Sequence, residues 1–85
     1  MTLADEIHVR LQQVFDPAEL DVADESHRHR GHSGWREEGE THFRVRMRAP
    51  ALRPMPRVAR HRAVHEALGP AIMLRLHALA LDLDG

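Results

Sequence analysis

The stretch Thr41-His42-Phe43-Arg44-Val45-Arg46-Met47-Arg48 alternates polar and apolar residues from His42 onward. In an extended chain successive side chains leave on opposite faces, so Phe43, Val45 and Met47 share one side. His42, Arg44, Arg46 and Arg48 take the other. The segment reads as a strand with an apolar face and a wet, basic one.

Upstream, Leu20-Asp21-Val22-Ala23 alternates more weakly and predicts a short strand. The residues from Glu25 to Gly39 are polar, histidine-rich and glycine-containing, and predict a long loop. Nearer the start, Thr2 with Asp5 resembles a capping box, and Leu3, Ile7, Leu11, Val14 and Phe15 recur at helical spacing. These predict a helix over 2–15. Asp16-Pro17 should end it, because proline lacks a backbone donor and biases the preceding residue away from helix.

Downstream, Pro50, Pro54 and Pro56 make a stiff connection, and Pro56 suits the first turn of a helix over 56–68. Val58, His61, Val64 and Leu68 form one stripe of that helix. Gly69-Pro70 interrupts it, and a short helical segment continues to Arg75. His77-Ala78-Leu79-Ala80-Leu81-Asp82-Leu83 is a last strand, with leucines on one side and small or acidic residues on the other. The order α-β-β-α-α-β predicts an α+β fold, a two-layer sandwich with helices on one face of a three-stranded mixed sheet. Residues 1–85 are read as a single domain.

Composition bounds the function. With 85 residues, one Trp, two Phe and no Tyr, the core is small, and binding across a surface is easier to build than a deep catalytic cleft. All twelve basic residues are Arg and eight residues are His, so the formal charge of -1 hides local basic character that grows as pH falls. Without Cys the chain makes no disulfide and no thiolate metal site of its own, which agrees with a reducing compartment. No apolar run approaches the roughly 20 residues of a membrane span, and the cytoplasm is the expected location.

Three blocks together resemble the BolA family: Asp24-Glu25-Ser26-His27-Arg28-His29-Arg30-Gly31-His32, then Gly39-Glu40-Thr41-His42-Phe43, then Arg60-His61-Arg62 with His77-Ala78-Leu79-Ala80-Leu81. Each is weak alone, but their order and spacing across nearly the whole chain are specific. The resemblance implies similarity to the class II KH fold, a nucleic-acid-binding architecture. Two departures stand out. Leu52, Arg53 and Pro54 occupy positions where the family has an aromatic residue, one residue and glycine, and proline supplies neither positive φ nor a backbone donor. Pro70 stands where relatives commonly carry an acidic residue.

In BolA proteins that pair with monothiol glutaredoxins, a His or Cys of the loop between the first two strands and the His opening the last strand are implicated at a bridging [2Fe-2S] cluster. The resemblance carries these roles to His77 and, best matched in the loop, His29, with His32 and His27 as neighbours able to substitute. Imidazole is a competent iron ligand, and two histidines on one iron is the Rieske arrangement. The thiolates would come from the glutaredoxin and glutathione. The plainer alternatives are a solvated loop that gains charge at mild acidity, or adventitious zinc or nickel binding. His77 can equally be a histidine that orders the start of a buried strand. His61, on an apolar stripe, reads as a packed core histidine, while His42 and His65 lack a nearby constellation.

The rival function is that of a DNA-binding transcriptional regulator. Arg44, Arg46 and Arg48 form a ladder, and Arg53, Arg57, Arg60, His61 and Arg62 lie around a helix start whose amides favour anions. Such an array would grip phosphates, whereas the plainer view of the ladder is a wet sheet face offset by Asp and Glu. Too few aromatics are present for base stacking. No nucleophile turn, general base on a helix or acid-base carboxylate pattern marks an enzyme. A homodimer of the free protein stays open.

Overall fold

The computed structural model describes residues 1–26 and 42–85. Helix α1 (Leu3–Phe15) is followed by strand β1 (Glu19–Asp24), strand β2 (His42–Arg48), helix α2 (Arg57–Met73) and strand β3 (Ala78–Asp84). A single 3-10 turn at Pro50–Leu52 lies within the proline-rich connection. The sheet order is β1-β2-β3, with β1 antiparallel and β3 parallel to the central β2.

The capping box at α1 forms as its residues suggest. The Thr2 hydroxyl accepts from the Asp5 backbone at 3.1 Å, and the Asp5 carboxylate accepts from the Thr2 backbone at 3.0 Å. The Thr2 backbone N–H, followed by its side chain, holds the Asp5 carboxyl below its ordinary pKa. Leu3, Ile7, Leu11 and Phe15 form the buried stripe, and Asp16 closes the helix in the left-handed conformation at φ 44°. Val14, placed on the stripe by its spacing, is instead 56% exposed. It sits one position before Phe15, about 100° around the helix, and a helix lying on one sheet face has only one stripe to bury.

The alternation of β2 is realised, with Phe43, Val45 and Met47 entering the core and Arg44 and Arg46 exposed. Leu79, Leu81 and Leu83 of β3 and Leu20 and Val22 of β1 pack against the same core. Each fully buried aliphatic side chain contributes roughly 1.5–3 kcal/mol.

The interruption at Gly69-Pro70 falls where the sequence places it, and α2 is two helical stretches joined at a kink there. Gly69 adopts φ 81° and ψ 164°, and the helical bonding resumes after it. The buried side is Val64, Ala67, Leu68 and Ile72. Two members of the anticipated stripe differ. Val58 is 60% exposed, and His61 is half-buried at the surface rather than in the core. Both belong to the first turns of α2, which lie over the end of β3 and not over the sheet's middle. Glu6 of α1 pairs with Arg75 beyond α2 at 2.9 Å, and the guanidinium holds the Glu6 carboxyl below its ordinary pKa.

Among the described residues no helix is long and apolar enough to cross a membrane.

Candidate functional site

Parallel pairing sets the chemistry of one sheet end. Because β2 and β3 run the same way, their first residues lie side by side, and His42 is in register with Ala78. His77 immediately precedes Ala78. The imidazoles of His42 and His77 consequently meet, with ring centres 5.2 Å apart and planes inclined by 56°. His42 is 7% exposed, whereas His77 is exposed to solvent.

Antiparallel β1 finishes at this same end. There the Asp24 carboxylate accepts from both the hydroxyl and the backbone N–H of Ser26. The Ser26 hydroxyl in turn accepts from the His42 backbone N–H at 3.2 Å, and the Glu25 N–H donates to the His42 carbonyl at 2.8 Å. Ser26 is 3% exposed, so its small polar side chain is buried with its bonds made. This clamp ties the two points at which segment 27–41 leaves and rejoins the sheet. His27, His29 and His32 belong to that segment and lie outside the described residues.

His42, set aside as isolated on sequence grounds, is therefore a ring neighbour of His77. The signal for it is the register of a parallel pair, which a single strand's alternation does not carry. Among the described residues no group of three or more His, Cys, Asp or Glu gathers in metal-binding geometry. Toward a [2Fe-2S] cluster the described residues would offer one exposed ligand. Exposed His77 offers a nitrogen donor, and a chain without Cys leaves the thiolates to another molecule.

The arginines separate into two populations. On the open sheet face Arg44 pairs with Glu25 at 3.2 Å, Arg46 with Glu19 at 3.5 Å and Arg48 with Asp82 at 3.1 Å. Arg48 also donates to the carbonyls of Met47 and Asp82. The register sets Glu19, Asp21, Asp82 and Asp84 beside these arginines, so the ladder is offset by at least as many carboxylates. A face balanced in this way attracts phosphate weakly.

Arg60 is committed to holding the fold. Its Nε donates to the carbonyls of Leu52 at 3.0 Å and Met55 at 2.9 Å, and its guanidinium reaches the Leu83 carbonyl and the Asp84 carboxylate. The Gly85 backbone N–H, followed by Arg60, holds the Asp84 carboxyl below its ordinary pKa. Arg57 and Arg62 are exposed and form no ion pair among the described residues. Arg57, Arg60 and His61 line a cleft of about 260 Å³ with Leu81, Asp82 and Leu83 of β3. Positive φ among the described residues occurs only at Asp16 and Gly69, so the chain at Pro54 does not adopt the conformation that glycine would permit.

These observations define a small α+β domain, a three-stranded mixed sheet of order α-β-β-α-β with paired histidines at one end. The model of the BolA-like protein family matches residues 11–84, and the chain belongs to that family. It is 45% identical over 83 residues to an uncharacterized protein in the cobS 5' region of a Sinorhizobium species, covering 96% of this chain and 89% of the relative. It is 32% identical over 81 residues to the DNA-binding transcriptional regulator BolA of Escherichia coli K12, covering 95% of this chain and 73% of the relative. The solved BolA domain of SufE1 from Arabidopsis thaliana superposes with a TM-score of 0.84 at 33% identity, covering 99% of this chain and 92% of that chain. The SufE-like protein 1 of that plant is longer, and this chain spans 21% of its length.

Proposed function

We propose that this BolA-like chain pairs with a monothiol glutaredoxin through a shared [2Fe-2S] cluster, in iron sensing or in cluster handling. His77 and a histidine of segment 27–41, His29 or its neighbour His32, would ligate one iron, and the glutaredoxin cysteine and glutathione would complete the set. The observation that carries this reading is the exposed imidazole of His77, at the sheet end where the histidine-rich segment leaves and returns. Bound there, the cluster supplies redox and ligand-exchange chemistry. The part of His77 is to present a nitrogen donor at the sheet end.

The test mixes the protein with a cluster-loaded monothiol glutaredoxin and follows visible absorption and circular dichroism. A new heterodimer spectrum that His77→Ala abolishes is the expected result. The absence of any complex or spectral change removes the proposal.

A second reading, a DNA-binding regulator, draws support from exposed Arg57 and Arg62 at the start of α2 and from the Escherichia coli relative, a DNA-binding transcriptional regulator. Arg60 would contribute by shaping that surface, with Arg57, Arg62 and His61 left to meet phosphate. Contacts would then be to the backbone of the nucleic acid and salt-dependent.

A further inference from the structure

We infer that His42 is a positioning residue for His77, its buried ring holding the exposed imidazole in the orientation that a partner-borne metal centre meets. The inference deepens the cluster reading and rests on it. Three observations carry it. The rings meet at 5.2 Å and 56°, within the distance range of roughly 4.5–7 Å at which tilted aromatic rings pack favourably. His42 is 7% exposed while its neighbour is exposed, so one ring is fixed and the other available. The backbone of His42 is anchored on both sides, by the Ser26 hydroxyl and by the Glu25 N–H, so the buried ring stands on a rigid support.

The competing role is that of a second ligand. Two imidazoles on one tetrahedral ion, with metal–nitrogen distances of about 2.1 Å, would also bring ring centres to roughly 5 Å. Burial decides between the two. A cluster carried in by another protein reaches the solvent-facing ring first, and a ring 7% exposed is shielded from it. Residues that orient a ligand typically alter metal affinity by about 10–100-fold when removed. Ring packing of this kind belongs at the lower end, about tenfold.

The experiment compares His42→Phe, His42→Ala and His77→Ala. Imidazole NMR of the free protein reads the orientation of the His77 ring, and titration with cluster-loaded monothiol glutaredoxin reads the shared centre. His42→Phe keeps a packed ring and should preserve both the His77 ring signals and the heterodimer spectrum. His42→Ala should average the His77 ring signals, weaken cluster binding about tenfold and shift the visible circular dichroism, with the fold checked by far-ultraviolet circular dichroism. Loss of the cluster in His42→Phe to the extent seen in His77→Ala overturns the inference by making His42 a ligand. An unchanged His77 ring and spectrum in a folded His42→Ala overturns it as well. Insensitivity of the complex to His77→Ala strikes the cluster reading instead, and the NMR of the free protein still judges whether His42 orients His77.

Discussion

The guanidinium of Arg60 presents five N–H donors on a rigid planar fork, and this fold uses them to tie α2 to the proline-rich connection and to the end of β3. The carbonyls of Leu52 and Met55 belong to the proline-rich connection, and Leu83 and Asp84 to the end of β3. Truncating the side chain removes its part-buried bonds to these carbonyls, although that of Leu52 keeps the Met55 backbone N–H as a donor. Arg60→Ala is expected to lower unfolding free energy by roughly 1.5–3 kcal/mol in urea titrations, with most of the loss from the carbonyl bonds. The Asp84 pair adds little, because that carboxylate is 67% exposed. Arg60→Lys should not restore the stability, since one ammonium cannot span the same fork. Any DNA-binding loss in Arg60→Ala therefore has to be judged against the stability of the variant. The sequence signalled a basic residue near a helix start. It carried no sign that carbonyls of a distant strand end would claim the side chain.

At the scale of the element, Gly69 shows most directly what the chain order demands. Its φ of 81° with ψ of 164° lies where residues with a Cβ are strained, yet an added Cβ would find no atom within 4 Å. Gly69→Ala is accordingly expected to cost roughly 1–3 kcal/mol by torsion alone, read as a lower midpoint in urea with an unchanged slope. A normal midpoint would mean that α2 straightens at this point. Gly69-Pro70 was legible as a break, and so were the alternation in β2, the capping box at Thr2 and the leucine face of β3. These are local patterns written within a few residues. The edges of the stripes were not legible, because Val14 and Val58 satisfy the helical period, yet Val14 yields its place to Phe15 and Val58 lies over the end of β3. The same limit hid His42. Its period-two position places it on the wet face, and only the parallel register with Ala78 brings it under cover beside His77.

Across the whole molecule the two candidate surfaces sit at opposite ends of the sheet. His77 precedes the first residue of β3, whereas the cleft beside Arg57 and His61 is lined by Leu81, Asp82 and Leu83 near its last. Along the strand, at about 3.3 Å per residue, His77 is roughly 13–20 Å from these lining residues. Between them the open face carries arginines and carboxylates in alternation, so no continuous positive track joins one end to the other. A partner seated on the histidine end need not cover the start of α2, and the two proposed activities should separate by mutation. The expected outcome is that Arg57→Ala and Arg62→Ala, alone or together, leave the heterodimer spectrum with a cluster-loaded glutaredoxin unchanged. If DNA is bound at the start of α2, each of these changes should reduce the slope of log affinity against log salt by about one. His77→Ala should do the reverse, removing the spectrum and leaving the salt slope alone. Such independence is the expected behaviour of sites too far apart to share a contact. If His77→Ala also flattened the salt slope, the nucleic acid would have to reach the histidine end, and the balanced sheet face would no longer divide the molecule into two working surfaces.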